Sequence, residues 1–484
     1  MLNAIIRESD EPIQSQLRRR IVESIHAGQM TLGQKMPPSR QLAGQLGIAR
    51  NTVAAVYDEL VARGYLESVP RRGFFVARDL QPEVANLPEA ATTPPGWQAS
   101  PDWEARLKQR PSRLRHIIKP SNWQDFPYPF VYGQVDPGLF PINTWRTCSR
   151  DALGRSAIDW WTADRAVEDD PMLVEQIRSQ ILPQRGIYAK TDDILVTLGT
   201  QEGLYILARL LARPGTRVGV EMPGYPDARN ILDAEGADIV DLPIDAEGAR
   251  LDGAGKLDVA VLTPAHHCPT MVTMSTDRRM AILKQAQRDG TIVIEDDYEG
   301  ETAAAGDATS LKSLDSSGHV AYLGTLSKVL APGVRLGFMV AAPELVKEAR
   351  WLRRLMHRSA PLNNQRTAAI FLAEGHYLTL QRNLREALTR RLAKVSEGCA
   401  RHLPGFRFSD AHGGSSVWLE CPPGLDARQL FRVAAAKGVL TESGDPFVPA
   451  DQAGRFLRLG VSYIDERKID AGLILLGQAA SEIS

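Results

Sequence analysis

Cysteine is scarce in this chain: four stand among 484 residues, at 148, 268, 399 and 421, and no two share metal-ligand or CxxC spacing. A disulfide-stapled fold and the common zinc motifs are thereby excluded. Scattered single thiols read instead as small buried hydrophobes of a reducing compartment. Long apolar runs are missing as well: no stretch approaches the ~18 uninterrupted apolar residues of a membrane span. The opening MLNAIIRESDEP puts acids where an export signal needs an apolar core, so a cytoplasmic protein is expected. Net charge is almost absent, −1 over the chain. What is present is ordinary, 43% hydrophobic and 24% charged residues, which rules out full-length disorder and fibrous repeats. At roughly 100–200 residues per domain the length holds two to four domains, with cores that need no staples.

The near-zero balance hides an asymmetry. Residues 1–78 carry eleven Lys/Arg against seven Asp/Glu, a surplus of four, which leaves the remainder at −5. A basic opening segment on a slightly acidic body suggests a polyanion-binding module joined to something else. Asp10 stands as an N-cap with Pro12 in the first turn. Ile13, Leu17, Ile21 and Ile25 then recur at i+4 as one helical stripe that Gly28 ends. After KMPPSR, Ser39 caps a second helix, with Leu42 and Leu46 inward and Gly47 as its stop. A third begins near Asn51, buries Val53, Val56, Tyr57 and Leu60, and stops at Gly64. Two short helices about a Gly-containing turn make a helix-turn-helix.

Two β-rich runs, 65–69 and 73–76, flank Pro70-Arg71-Arg72 and read as a hairpin with a basic tip. The whole is a winged helix-turn-helix. Its third helix leads with Arg50, Asn51 and Thr52, side chains suited to base edges in a major groove. Arg40 opens the second helix beside a phosphate, while Arg71 and Arg72 bring the wing to the backbone or minor groove. The bland alternative is a protein-interaction module with solvated arginines. Charge, turn and wing agree on double-stranded DNA. The stretch MPPSRQLAGQLGIARNTVAAVYDELVARGYLESVPRRGFFV resembles the GntR family of bacterial regulators nearly throughout. That resemblance implies DNA contacts at Arg40, Ala49, Arg50, Asn51 and Thr52. Ala49 departs from the usual Ser or Thr and cannot donate a hydrogen bond, and Arg71-Arg72-Gly73 departs from the common Gly-Ser-Gly.

Residues 79–125 lack a period and include the Pro-rich LPEAATTPPGWQASP, so they read as a linker. The basic run 108–119 is expected to be a solvated helix face, and an independently folded body is expected over 126–484. In that body, helical patterns alternate with short apolar runs at 193–198, 217–221, 259–263, 291–294 and 320–324, the signature of an α/β sheet covered by helices. Ligands collect at the carboxyl ends of such strands, and three polar clusters lie there. Leu198-Gly199-Thr200-Gln201-Glu202-Gly203 runs from strand to helix, where free N–H groups suit a phosphate. Ile294-Glu295-Asp296-Asp297-Tyr298 places acids at a strand end, open to capping or Mg²⁺ as well. Gly324-Thr325-Leu326-Ser327-Lys328 is followed by Arg335 inside a Gly-rich run. A phosphate cradle, an acid, a phenol, a lysine and an arginine are together the inventory for pyridoxal 5′-phosphate (PLP).

The body also resembles fold-type I, class I/II aminotransferases, which implies a large α/β domain and a small C-terminal α+β domain. By that resemblance Lys328 is the Schiff-base lysine, Asp296 the acid at the pyridine nitrogen and Tyr298 the phenol at the ring oxygen. Thr200, Gln201, Thr325 and Arg335 fall on phosphate-side positions, with Ser327 beside them. Tyr225 is the stacking aromatic, and Arg458 grips a substrate carboxylate. One stretch departs: in Thr263-Pro264-Ala265-His266-His267-Cys268-Pro269-Thr270-Met271, Cys268 takes the place of a usual asparagine and Met271 that of a glycine. Cysteine donates hydrogen bonds poorly, so transamination is expected to be slow or absent while cofactor binding persists. His266 and His267, as strand neighbours, would face opposite sides, so no metal is expected. A GntR-like winged helix, a linker and such a body resemble the MocR/GabR regulators. These are bacterial transcription factors, usually head-to-tail homodimers, that sense an amino acid, an amine or PLP itself. The rival is an active PLP-dependent aminotransferase carrying an accessory DNA-binding domain. A third class is a DNA-binding scaffold that has lost its ligand.

Overall fold

The computed structural model describes residues 12–78, 101–302, 309–409 and 413–483. Asp10 and residues 79–100 of the expected linker lie outside the described residues. Contacts divide the chain into two units between Lys108 and Gln109.

In the first unit, helices α1 (Ile13–His26), α2 (Ser39–Leu46) and α3 (Arg50–Ala62) precede the antiparallel strands β1 (Leu66–Val69) and β2 (Gly73–Val76). The stripe Leu17, Ile21 and Ile25 meets Val53, Val56, Tyr57 and Leu60 in one core, closed by Leu66 and Val76. Each fully buried side chain of this kind contributes ~1.5–3 kcal/mol. The Tyr57 hydroxyl, buried with its ring, donates to the Pro37 carbonyl at 2.9 Å. Gly47 ends α2 at φ +66°, a left-handed turn that suits glycine. The helix starts differ from expectation. Pro12, Pro38 and Ala49 hold the N-cap positions, and none of the three supplies a side-chain cap. Proline and alanine have no side-chain oxygen to accept a bond, so Ser39 becomes the first helical residue rather than a cap.

The second unit opens with residues 109–125, which are not a solvated helix. Pro111 and Pro120 interrupt any long helix, and the polar groups find partners on the body. Arg115 Nη1 donates to Val448 O at 2.5 Å, Asn230 Nδ2 donates to Arg115 O at 2.8 Å, and Trp123 packs edge-on against Tyr463. The body therefore begins at Gln109, ahead of Phe126. A short strand β3 (Tyr128–Pro129) follows. The main sheet is built from β4 (Ile194–Thr197), β5 (Arg217–Met222), β6 (Asp238–Asp245), β7 (Gly248–Ala249), β8 (Val259–Leu262), β9 (Ile292–Asp297), β10 (Val320–Thr325) and β11 (Gly337–Val340). Their order is β4-β11-β10-β9-β8-β5-β6-β7. Neighbours from β10 to β6 run parallel, and β11 is antiparallel to both β4 and β10. Cores on both faces explain why these strands read as unbroken apolar runs.

Four later strands, β12 (Arg407–Phe408), β13 (Ser416–Glu420), β15 (Glu442–Ser443) and β16 (Phe456–Gly460), form an antiparallel sheet beside the helices His376–His402, Ala427–Ala436 and Ile469–Ile483. The strand between them, β14 (Val439–Leu440), pairs in parallel with β3. This is the small α+β portion. All four cysteines are free and buried. No helix among the described residues is long and apolar enough to cross a membrane.

Candidate functional site

A cavity of about 400 Å³ opens beyond the carboxyl ends of the parallel strands. Thr200, Gln201, Tyr225, Cys268, Asp296, Tyr298, Thr325, Ser327, Lys328, Arg335 and Arg458 all line it, so every expected cofactor and effector residue converges on one space. Thr200 and Gln201 open the helix Thr200–Leu211 directly after β4. Gly199 ahead of them sits at φ +91°, and a Cβ on Gly337 would stand 2.7 Å from its Cα. That close approach lets Arg335, itself left-handed at φ +53°, reach over the helix start, where Nη2 donates to Leu198 O at 2.5 Å. Free N–H groups at a helix start and an exposed guanidinium together make an anion cradle. The Ser327 hydroxyl donates to Leu336 O at 3.2 Å, and its N–H donates to Thr325 Oγ1 at 3.1 Å.

The acids expected at the end of a strand lie within β9 and are buried. Two are engaged by neighbouring groups of the fold. Glu295 accepts the N–H groups of Leu311 and Lys312, and Asp297 accepts from Arg185 and the Tyr322 hydroxyl. Asp296 Oδ1 is buried with no partner, as are Asp297 Oδ1 and the hydroxyl of Tyr298; of these, Asp296 and Tyr298 line the cavity and Asp297 does not. Burial pushes the Asp296 carboxyl up to about 7, against the opposing hydrogen bond from Thr200 and the charge of Lys328. The Tyr225 hydroxyl donates to Gln201 Oε1 at 2.6 Å and lies 3.1 Å from Asp227. Burial pushes the Cys268 thiol up to about 12, so it stands as a neutral, weak donor.

Lys328 Nζ lies 4.2 Å from the ring centre of Tyr132 and 5.9 Å from that of Tyr298. Burial lowers the amine to about 8, opposed by Glu299 and assisted by Arg458 and Lys119. Arg458, on β16, is buried between the rings of Tyr132 and Phe447, and its Nε donates to Glu442 Oε2 at 2.8 Å. Burial alone would raise the Glu442 carboxyl, but Arg458 and Lys119 hold it below its ordinary value. Tyr132, Glu442 and the wall residues His116, Ile117 and Lys119 were not expected here. The last three fall in the Pro-rich stretch, where no apolar period marks a packed segment.

His266 and His267 stand not on a strand but in the loop that follows β8, and both are buried. Pro264 ends the ladder there, so the alternation of faces does not apply. His267 Nδ1 meets Thr270 Oγ1 at 2.7 Å, and burial drops its pKa to about 3, which keeps it neutral. In the first unit Arg40, Arg50, Asn51, Arg71 and Arg72 are all exposed, and Thr52 is half-buried. Arg71 turns the wing at φ +63°, and the Arg72 guanidinium lies 5.6 Å from the Phe75 ring centre.

Residues 13–76 match the family described as bacterial regulatory proteins, gntR family, and residues 171–473 match aminotransferase class I and II. The HTH-type transcriptional regulator TauR of Rhodobacter capsulatus is 39% identical, over 96% of each chain. The probable rhizopine catabolism regulatory protein MocR of Rhizobium meliloti is 30% identical, over 98% of this chain and 94% of its own. Among solved structures, the kynurenine aminotransferase of Pyrococcus horikoshii, in complex with PMP, KYN and KYA, superposes with a TM-score of 0.71. It is 25% identical and covers 79% of this chain and 98% of its own. The chain thus belongs to the MocR-type transcriptional regulators, in which a GntR-family helix-turn-helix precedes an aminotransferase class I and II domain.

Proposed function

We propose that this chain is a cytoplasmic bacterial regulator that binds promoter DNA through its winged helix, acts as a homodimer, and senses a small amino compound on PLP held in the body. The single observation that carries the sensing half is the pair of orphaned buried groups, Asp296 Oδ1 and the Tyr298 hydroxyl, in the wall of a cavity that also holds Lys328 and an anion cradle. A buried polar group left unsatisfied costs ~1–3 kcal/mol. Asp296 would hold a protonated ring nitrogen, Tyr298 would meet a ring oxygen, and the Thr200–Gln201 helix start with Arg335 would hold a phosphate. When bound, PLP supplies an electrophilic carbonyl carbon that captures a primary amine.

The chain's own residues do the rest. Lys328, its amine lowered to about 8, is partly neutral near physiological pH and so is ready as the nucleophile. Asp296 would hold the ring proton, Tyr225 would pack against the ring face, and the cradle would fix the phosphate. Arg458, held flat by Glu442 and Tyr132, presents the positive charge that orients an effector's anion. Cys268 would offer the ring oxygen only a weak donor, which tunes the bound ring poorly for turnover, so the site reports occupancy rather than producing keto acid. In the winged helix, Arg50, Asn51 and Thr52 read base edges, while Arg40, Arg71 and Arg72 bind phosphates.

The test is spectroscopic. Full-length protein supplied with PLP shows the visible band of a lysine-bound cofactor, Lys328→Ala lacks it, and added amines shift it in the parent protein only. Protein that takes up no PLP refutes the reading. Sustained conversion of amino and keto acids at ordinary enzyme rates, on the order of 10 s⁻¹, would promote the active aminotransferase instead.

A further inference from the structure

The proposed function uses Arg458 as the anchor of an effector's anion and gives no part to Lys119. Lys119 reaches the cavity wall from residues 109–125, and its Nζ lies 3.2 Å from Glu442 Oε1. The same Oε1 accepts the Tyr132 N–H at 3.2 Å, while Oε2 accepts from Arg458 Nε. Two cations therefore share one carboxylate. The next acid, Glu299, accepts the Ser415 hydroxyl on one oxygen, and its charge bears on Lys328 and Tyr132. Around Glu442 itself two cations thus face one carboxylate, a local surplus of positive charge that a singly charged anion complements.

The spacing constrains that anion's carrier. Lys328 Nζ and the Arg458 guanidinium carbon lie 4.2 and 4.1 Å from the same Tyr132 ring centre, so they are no more than roughly 8 Å apart. A short spacer between amine and anion spans this. The two cations also differ in freedom. The Arg458 side chain is 2% exposed and locked between rings, whereas that of Lys119 is 22% exposed, a compact charge on a flexible stem.

We propose that Lys119 is a specificity-determining residue of the effector site: it swings from Glu442 to the anion and, with Arg458, clamps the singly charged end of a short amine. The proposal rests on the reading that the cavity holds PLP and takes an amino compound. Its consequence is selective. An anionic amine engages the segment that leads in from the DNA-binding unit, and an uncharged amine of the same length does not.

The test titrates PLP-loaded, full-length protein with β-alanine and 4-aminobutanoate, and in parallel with ethylamine and propylamine, following the visible band. In Lys119→Met the preference for the amino acid over its matched amine falls about tenfold or more, the size of one charge-assisted hydrogen bond. Lys119→Arg restores most of it. A purely structural role moves both ligand classes together, and that result overturns the proposal. So does an unchanged preference in Lys119→Met. If the parent protein's band answers to neither class, the cofactor–amine reading itself fails and takes this one with it. A Lys119→Met protein that loads no PLP is replaced by Lys119→Gln, read in the same way.

Discussion

Asp296→Asn tests the cofactor reading with two effects of opposite sign. The Asp296 carboxyl is buried, has one oxygen without a partner, and is pushed from an ordinary 3.8 up to about 7. Between these values the unfolded chain binds fewer protons than the folded one. Stability is therefore full below about pH 4 and falls as pH rises toward 7. At 1.36 kcal/mol per pH unit, the ionised carboxylate costs the cofactor-free protein about 4 kcal/mol by pH 8. Glu221, Glu295 and Glu301 are also raised by burial, to about 7 each, so the parent alone cannot isolate this contribution. The difference between Asp296→Asn and parent does, because asparagine carries no charge at any of these pH values. For a body of this size, 4 kcal/mol corresponds to about 5 °C in Tm. Thermal melts without cofactor should show the variant more stable at pH 8 and little changed at pH 4. Absorbance titration with PLP should show the reverse preference, a roughly ten- to hundredfold weaker Kd, because a charge-assisted contact to the ring proton is gone. Equal melts at pH 8, or equal affinity for PLP, would refute the argument that an unsatisfied buried carboxylate awaits a cationic ring.

Three further outcomes bear on the other parts. Lys328→Ala should lose the visible band and all amine response, yet shift promoter DNA like the parent in a gel assay, since the winged helix has its own core. Arg50→Ala should weaken binding to its cognate site by ~1–3 kcal/mol if it reads a base. Arg71→Ala should instead weaken all sequences alike and flatten the log–log salt dependence by about one unit. Cys268→Asn restores a good donor beside Tyr298 and should raise keto-acid formation above the parent's rate in a coupled assay, whereas an unchanged rate would show that the thiol is not what limits turnover.

The parts legible in the sequence were those built on repetition or on adjacency. Val53, Val56, Tyr57 and Leu60 repeat at helical spacing, and they form the core of the winged helix. Thr325 ends an apolar strand and Ser327 and Lys328 follow it directly, so strand, loop and polar cluster could be read together. The helix starts were less legible, because the N-cap position depends on backbone angles. The prolines and alanine found there carry no capping side chain to mark it.

The anion end was hidden for a more basic reason. Glu442 sits in a strand two residues long, and its two cations come from opposite ends of the body. Nothing periodic connects such residues. Each is a single charge in an unremarkable context, and only the fold makes them neighbours. The same logic explains why residues 109–125 read as linker. Their hold on the body is made of single contacts, such as Arg115 to Val448, Asn230 to Arg115, Lys119 to Glu442, Trp123 to Tyr463 and the packing of Ile117, rather than an apolar stripe. A segment held this way is fastened by few interactions, each worth on the order of 1 kcal/mol. A ligand that adds or removes one such charge contact can therefore change how firmly it is held. That makes residues 109–125 a physically reasonable place for an effector's charge to be felt first.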